Sequence, residues 1–96
     1  MEKRGSVYIM ASGRNGTLYT GVTSDLVKRA YQHRTDAIAG FTSRYDCKIL
    51  VWFEVHDRID TAILREKRIK EWRRGWKLGL IEAENPEWED LFPALI

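Results

Sequence analysis

The sequence has little of two things: cysteine and long apolar runs. Its single cysteine, Cys47, cannot form a disulfide within one chain, and it cannot build a cysteine-based metal cage. No apolar stretch approaches the ~20 residues that a membrane-spanning helix needs, and the beginning of the chain lacks the apolar core of a signal peptide. These absences predict a soluble, cytoplasmic protein without a membrane partner.

Charge is plentiful but unevenly distributed along the 96 residues. Between Arg58 and Lys77, eight basic residues stand against three acidic ones, whereas Glu82 to Asp90 holds five acidic residues and no basic one. One side of the protein should therefore be positive, which suits a polyanion, although a solvated helix face explains such a run at least as often. The length and the 44% of hydrophobic residues predict one domain over residues 1–96.

Two alternating stretches near the start of the chain predict a β-hairpin. They run from Ser6 to Ser12 and from Leu18 to Val22. Asn15-Gly16 between them is a strong hairpin signal. A two-residue turn there pairs Tyr8 with Thr23, so that Tyr8 and Tyr19 share a face but lie roughly 13 Å apart. Two such tyrosines are more often ordinary strand residues than functional ones, so the hairpin alone does not define a site.

The stretch after the hairpin predicts a helix that begins near Asp25, with Thr23 or Ser24 as its cap. One face of that helix carries Leu26, Arg29, Ala30 and His33. An arginine at the edge of an apolar stripe usually extends its charged end to water, and a lone histidine is usually a hydrogen-bonded residue of the core. The guanidinium and imidazole beside a strand with tyrosines nevertheless favour a functional site.

Residues 37–46 (AIAGFTSRYD) predict a loop or short turn in which Arg44 and Tyr45 are candidates to contact a phosphate and a base. The next run, Ile49 to Phe53, is apolar at every position, which predicts a strand covered on both faces. A third strand over about Lys48 to His56 completes the predicted α/β fold, a small three-stranded antiparallel sheet flanked by helices on both faces.

A second helix is predicted from about Asp60 to Arg73, and Glu66 lies in the middle of its apolar stripe. A carboxylate in that position costs free energy unless it is paired or holds a cation. Lys70 lies one turn further on and is a candidate partner. A single inward carboxylate also matches the way Mg²⁺ is held, by one or two protein oxygens with water and phosphate. Both explanations of Glu66 are open.

The last part of the sequence predicts a third helix that ends near Glu84. Asn85-Pro86 then predicts the cap and first residue of a last short helix through Leu91, and capping alone accounts for Asn85. Three of the four tryptophans, Trp72, Trp76 and Trp88, are predicted to lie in the core, because a small domain needs their area.

Taken in order, these residues resemble the GIY-YIG endonuclease superfamily. The likeness runs through Val7-Tyr8, Tyr19-Thr20-Gly21, Arg29, His33, Glu66 and Asn85. The segments GFTSRY, LREKRIKEWRR and NPEWEDL are similar to its minimal, stand-alone bacterial members, so the likeness covers a core of about residues 6–91. The signatures read Ser6-Val7-Tyr8 instead of Gly-Ile-Tyr and Tyr19-Thr20-Gly21 instead of Tyr-Ile-Gly. Both tyrosines and the second glycine are kept.

The resemblance implies metal-dependent hydrolysis of a phosphodiester bond in DNA, with RNA as a further candidate, in DNA repair or recombination. Tyr8 or Tyr19, helped by His33, would take a proton from the attacking water, and Arg29 would contact the phosphate. Glu66 would hold Mg²⁺ or Mn²⁺. Asn85 is carried over as a residue at the edge of the site. Contacts with the nucleic acid are expected at Lys28, Arg44, Lys67, Lys70 and Arg73.

A phenol with a pKa near ~10 is a weak base at neutral pH. The positive charges of Arg29, Lys28 and the metal are therefore expected to lower the pKa of the catalytic tyrosine.

Two other functions are open. The domain could bind nucleic acid through its basic helix without cutting it, recruited by a protein partner that supplies specificity. Alternatively, it could be a protein-interaction domain in which Glu66 only pairs with Lys70.

Overall fold

The computed structural model describes residues 3–37 and 40–96. The strands are β1 (Gly5–Ala11), β2 (Leu18–Thr23) and β3 (Ile49–His56). The helices are α1 (Leu26–Arg34), α2 (Phe41–Arg44), α3 (Ile59–Glu71) and α4 (Arg74–Glu84), followed by a 3₁₀ helix at Phe92–Leu95. Residues 38 and 39 of the predicted loop lie outside the described residues, and α2 occupies part of the rest. In the described part of the chain, no helix combines the length and the apolar character needed to cross a membrane.

The three strands form one antiparallel sheet in the order β2-β1-β3. Every residue of the central strand β1 is buried, because its alternating side chains fill two apolar clusters. Val7 and Ile9 point into a cluster with α3 and α4, whereas Tyr8 and Met10 point into a cluster with α1 and the 3₁₀ helix. The predicted α/β fold, with helices on both faces of a three-stranded antiparallel sheet, is confirmed.

The apolar run in β3 is covered on both faces, as its composition predicts. Leu50 packs with Tyr8, and Trp52 packs on the opposite face with Ile9. The pairing with β1 shifts between Ile9 and Met10, so that Val51 is an extra residue in the ladder. The bulge places the side chains of Val51 and Trp52 in the same cluster. In a regular strand, the side chains of two neighbouring residues would point to opposite faces of the sheet.

The predicted hairpin register is wrong by two residues. Tyr8 pairs with Gly21 and not with Thr23, because the loop contains all four residues 13–16 and not only the Asn15-Gly16 pair. Ser12 closes this loop: its N–H donates to the carbonyl of Thr17, and its hydroxyl accepts from the N–H of Thr17. A shift of two residues keeps the same faces, so both tyrosines still share one side of the sheet.

Helix α1 begins one residue later than predicted, at Leu26. The cap is Asp25 itself, whose carboxylate accepts a hydrogen bond from the N–H of Lys28 at 3.2 Å. Thr23, one of the predicted caps, does not cap the helix. Its hydroxyl oxygen accepts a hydrogen bond from the N–H of Asp25 and so holds the capping residue in place. A carboxylate at this position also interacts favourably with the positive end of the helix dipole.

The predicted short helix after Asn85 is wrong. Asn85 ends α4, and its side chain is fully engaged: the amide N–H₂ donates to the carbonyls of Val51 and Glu89, and the amide oxygen accepts from the N–H of Glu89. The following residues therefore form a turn held against β3, and helical structure resumes only at Phe92. Of the tryptophans, Trp88 is buried as predicted, but Trp76 is 61% exposed.

Replacing Asn85 by alanine should lower the free energy of unfolding by about 1–3 kcal/mol, because the buried carbonyl of Val51 on β3 and the backbone of Glu89 in the turn lose hydrogen bonds. Urea unfolding at equilibrium measures this change. Glu84→Ala, an exposed substitution at the preceding residue, should change stability by less than about 0.5 kcal/mol. Equal stability of Asn85→Ala and the parent protein would contradict the structural role of Asn85.

Candidate active site

Three rings meet on the α1 side of the sheet. The hydroxyl of Tyr8 lies 2.8 Å from Nε2 of His33, and this hydrogen bond joins the central strand to α1. The ring of Tyr19 completes the group, with its centroid 6.3 Å from that of Tyr8 and 5.4 Å from that of His33. The observed hairpin register brings the tyrosines much closer than the predicted register, which separated them by roughly 13 Å.

The glycine of the second signature makes room for this arrangement. Gly21 pairs with Tyr8 across the sheet, and a Cβ on Gly21 would lie 2.5 Å from the ring and hydroxyl oxygen of Tyr8. Real side chains do not approach so closely, so any other residue at position 21 would displace the tyrosine. The glycine is therefore needed for the close approach of a side chain, and not for an unusual backbone conformation.

His33 is 4% exposed and both of its ring nitrogens have partners. Nε2 faces Tyr8, and Nδ1 lies 2.9 Å from the hydroxyl of Thr42 on α2. Burial lowers the pKa of His33 below its usual value, and the positive charge of Arg29 lowers it further. At neutral pH the imidazole is therefore uncharged, and it has one N–H to donate and one lone pair to accept with.

The phenol of Tyr8 does not behave as the sequence predicted. Burial raises the pKa of Tyr8 well above its usual value, and the neighbouring Tyr19 raises it further. Arg29 opposes this effect through its positive charge, while the carboxylate of Glu66 adds to it. The expected lowering of the pKa by Arg29 is present, but the loss of hydration outweighs it.

Glu66 lies on α3 with a side chain that is 12% exposed, in line with its predicted place on the inner face of the helix. One of its oxygens forms an ion pair with Lys70 at 3.1 Å, the alternative that the sequence left open. Its charge also raises the pKa of Tyr8, so the carboxylate lies within electrostatic reach of that phenol.

The donor set around Glu66 fits a divalent cation that takes few protein ligands. Among residues 3–37 and 40–96, no three side chains of the His, Cys, Asp and Glu types come together in a way that could hold an ion. A zinc site is thereby disfavoured, since zinc needs three or four protein ligands. A single carboxylate fits Mg²⁺ or Mn²⁺, which keep several waters and take further oxygens from a substrate phosphate.

Four of the five predicted basic contacts lie on two surfaces. Lys28 and Arg29 border a shallow groove of about 230 Å³ at the beginning of α1, together with Asp25 and Gln32. The second surface is formed by α3 and the two residues that follow it, Trp72 and Arg73. It carries Lys67, Lys70 and Arg73, all exposed.

Arg44 is exposed on α2, with its guanidinium 5.5 Å from the centre of the Tyr45 ring. Asn85 makes its hydrogen bonds to Val51 and Glu89, and none of them reaches the three rings. The role of Asn85 in catalysis therefore stays a prediction.

Sequence reasoning missed two residues of α2. Thr42 is 4% exposed and contacts His33, and Phe41 packs between Tyr19 and Tyr45, with ring centroids 5.9 and 4.6 Å away. Both belong to the GFTSRY segment, in which the sequence pointed to Arg44 and Tyr45 instead. A helix of four residues is too short to show a periodic pattern, so nothing in the sequence indicated which of its side chains point inward.

The buried neutral state of His33 predicts a pH dependence of stability. Because its folded-state pKa lies below the unfolded value of 6.5, the unfolded chain takes up the proton first as pH falls. The contribution of His33 to the free energy of unfolding should be complete above about pH 6.5 and should decrease below it.

Urea unfolding at about pH 7.5 and about pH 5 measures this loss, which is compared in the parent protein and in His33→Gln. The control is His56→Gln, since His56 is the other histidine and lies outside the three-ring cluster. The pH-dependent loss should shrink in His33→Gln and persist in His56→Gln. The same loss in His33→Gln as in the parent protein would contradict a buried, neutral His33.

A family model and the sequence relatives of this chain point to the same family. The family model of the GIY-YIG catalytic domain matches residues 4–78. A UPF0213 protein of Staphylococcus saprophyticus is 36% identical over 75 residues, which are 78% of this chain and 90% of that protein. A UPF0213 protein of Syntrophus aciditrophicus is 37% identical over 82 residues, which are 84% of this chain and 92% of its own length.

A solved structure agrees with the sequence relatives. The solution NMR structure of a UPF0213 protein from Bacillus halodurans superimposes with a TM-score of 0.57 at 25% identity, and the match covers 91% of this chain and 92% of that one. GIY-YIG nucleases act on nucleic acid and generally depend on a divalent metal. The fold, the paired tyrosines and these relatives together show that the chain belongs to the GIY-YIG family of nucleases, with UPF0213 proteins among its relatives.

Proposed function

We propose that this protein is an endonuclease that hydrolyses a phosphodiester bond of nucleic acid, most directly DNA, with the help of a divalent metal. The observation that supports this function best is the buried hydrogen bond between Tyr8 and His33, with Tyr19 beside it and Arg29 acting on the same phenol. A phenol, an imidazole and a guanidinium gathered in this way can receive a proton and stabilise a phosphate.

In this proposal, Tyr8 is the base. Its phenolate oxygen takes a proton from the attacking water and becomes a neutral phenol, and the hydroxide forms its bond to phosphorus as the bond to the leaving oxygen breaks. The phenolate needs positive charge beside it, because burial opposes ionisation. Arg29 supplies part of that charge from its position next to the phenol. Tyr19 is the alternative base, since its ring borders the same space.

Arg29 has a second role in the same place. It lies at the edge of the groove that opens at the beginning of α1, where Lys28 is also exposed. A planar guanidinium donates two parallel hydrogen bonds to phosphate oxygens, and negative charge on those oxygens grows in the transition state. We propose that this groove receives the scissile phosphate.

Glu66 is the proposed metal ligand. Its side chain is largely buried, and its charge raises the pKa of Tyr8. A metal held by this carboxylate could therefore contact the phosphate whose attacking water gives its proton to Tyr8. When bound, Mg²⁺ or Mn²⁺ would supply positive charge that polarises the phosphate, steadies the leaving oxygen and offsets the effect of burial on Tyr8. Lys70 would have to release the carboxylate oxygen that it now pairs with, and a half-exposed lysine can do so at little cost.

The remaining basic residues would hold the strand on either side of that phosphate. Exposed lysines and arginines bind the sugar-phosphate backbone without reading its sequence, and their contacts weaken as salt is added. The proposed contacts are Lys28, Arg44, Lys67, Lys70 and Arg73. Backbone contacts of this kind carry little specificity, so we propose that a protein partner directs the enzyme to its target, in DNA repair or recombination in the cytoplasm.

A second candidate function rests on one observation, the ion pair between Glu66 and Lys70. If that pair is the whole role of Glu66, the domain would bind nucleic acid without cutting it or would bind another protein. The two candidates differ in whether the carboxylate is needed for cleavage.

Replacing Glu66 by glutamine should abolish cleavage while the protein stays folded, because glutamine keeps the shape of the side chain but loses the charge that holds the metal. The purified protein is incubated with single-stranded, double-stranded and branched DNA and with RNA, with and without Mg²⁺ or Mn²⁺. The control is Glu71→Gln, which changes an exposed glutamate at the end of the same helix and should cut like the parent protein.

Urea unfolding checks that Glu66→Gln is folded, and its stability should fall by no more than about 1 kcal/mol for the loss of one ion pair. Cleavage by Glu66→Gln equal to that of the parent protein would rule out the metal role. Binding without any cleavage by the parent protein, in every combination of substrate and metal, would favour the binding module.

A further inference from the structure

Two exposed aromatic rings lie on α2. Phe41 and Tyr45 are one helical turn apart, and the N–H of Tyr45 donates to the carbonyl of Phe41 at 2.9 Å. Their ring centroids are 4.6 Å apart, and the ring planes are tilted by 39°. Each side chain still has a large exposed fraction, 45% for Phe41 and 44% for Tyr45. The contact between the rings therefore leaves part of each apolar surface open to solvent.

The two rings are joined to the proposed active site by direct contacts. The ring centroid of Phe41 lies 5.9 Å from that of Tyr19, which in turn lies 6.3 Å from that of Tyr8. Helix α2 is held beside these rings by Thr42, whose hydroxyl oxygen lies 2.9 Å from Nδ1 of His33. A group that packs on the exposed rings of α2 would therefore lie close to a phosphate attacked at Tyr8.

Arg44 adds a positive charge at the same place. Its exposed guanidinium lies 5.5 Å from the centre of the Tyr45 ring, within the range of a cation–π interaction. Proteins that bind single strands combine basic side chains for the phosphates with aromatic rings on which the bases stack. Every nucleotide offers both partners, an anion and an aromatic base. The charge and the rings of α2 therefore favour a nucleotide as the group that packs there.

A protein ring can stack on a base only where the face of that base is open. Inside a duplex, neighbouring pairs cover both faces of each base, and a base must leave the stack before a protein reaches it. Single strands, loops and strand ends present unpaired bases directly. The exposed rings of α2 therefore favour a substrate with an unpaired base near the scissile phosphate.

We propose that Phe41 and Tyr45 form a stacking platform for an unpaired base next to the scissile phosphate, with Arg44 on a phosphate of the same strand. The substrate is then a nucleic acid that is single-stranded where it is cut. Every base has an aromatic face, so the platform holds the strand without reading its sequence. The position of the cut rests on the proposed function, whereas binding of the unpaired base does not require cleavage.

Binding measured in EDTA tests the platform separately from cleavage. Fluorescence anisotropy gives the Kd of the full chain for a labelled strand of about 16 thymidines and for a uridine strand of the same length. Two further probes are the thymidine strand paired with its complement and an abasic strand with the same sugar-phosphate backbone. The parent protein should bind the thymidine strand about tenfold more tightly than the abasic strand, because the abasic strand has nothing to stack.

Paired substitutions separate the ring from the rest of each side chain. Phe41→Leu and Tyr45→Leu remove a ring, and each should raise the Kd for the thymidine strand about tenfold, which corresponds to about 1.4 kcal/mol. Phe41→Tyr and Tyr45→Phe keep the ring and should bind like the parent protein. The matched control is Tyr31→Leu, which removes an exposed tyrosine from α1 and should leave the Kd unchanged. The Kd for the abasic strand should be the same in all of these proteins.

A loss of affinity that is confined to strands with unpaired bases supports the platform, and the thymidine and uridine strands show whether DNA or RNA supplies the base. Urea unfolding checks that each variant is folded. Folded Phe41→Leu and Tyr45→Leu that bind the thymidine and uridine strands like the parent protein would overturn the proposal. An equal loss of affinity for the abasic strand and the duplex would overturn it as well, and so would a parent protein that binds neither single strand.

Cleavage assays with Mg²⁺ or Mn²⁺ show which proposal fails. If the parent protein cuts no substrate but its binding depends on the two rings, the proposed function fails and the platform stands. If the parent protein cuts, and Phe41→Leu and Tyr45→Leu bind and cut single strands equally well, the platform fails and the proposed function stands.

Discussion

The hydrogen bond between Tyr8 and His33 is the interaction on which the rest of the site depends. It connects a fully buried strand to the helix that follows the hairpin, beside the apolar side chains that pack between the sheet and α1. Two polar rings in such a place must satisfy each other, because an unpaired polar group in the core costs free energy. Gly21 leaves room for the phenol, and Thr42 satisfies the second nitrogen of the imidazole. The pair thus determines how β2, α1 and α2 are arranged around it.

Burial of Tyr8 and His33 suits the stability of the core but opposes the ionised tyrosine that the proposed catalysis needs. Removal from water keeps Tyr8 protonated and His33 neutral, and both states suit a stable core more than a proton acceptor. Arg29 opposes burial at Tyr8, and Glu66 acts against Arg29 there. A cation held by Glu66 would reverse that last effect by neutralising the carboxylate. In the proposed function, the free protein would therefore be in a resting state, and the charges that activate it would arrive with the metal and the substrate.

Much of the fold follows from periodicity in the sequence. Alternation in β1 predicted both of its faces, and the helical repeat predicted that Arg29 and His33 share one side of α1. The hairpin register was not predictable, since Asn15-Gly16 fits a two-residue turn as well as the observed four-residue loop. The predicted faces of the strands are still correct, because the predicted register differs from the observed one by two residues and side chains alternate with a period of two.

Other features of the site had no local signal. The bond of Asn85 to Val51 crosses the fold to β3, so the start of a following helix was the reasonable sequence interpretation of Asn85 and the wrong one. The direction of the pKa shift at Tyr8 depends on how deeply the strand is buried, and a sequence does not contain that quantity. Thr42 lies in a helix too short for any pattern. In each case the missing information is a tertiary contact.

The central claim is that Glu66 and the three rings form one metal-dependent site. The most direct test is to titrate Mn²⁺ into the folded protein and follow the ring signals of Tyr8, Tyr19 and His33 by NMR, because a bound paramagnetic ion broadens signals near it. In the parent protein and in Glu71→Gln, these signals should broaden as Mn²⁺ is added, and Glu66→Gln should remove the effect. Equal broadening with and without the Glu66 carboxylate, or none in the parent protein, would contradict the claim.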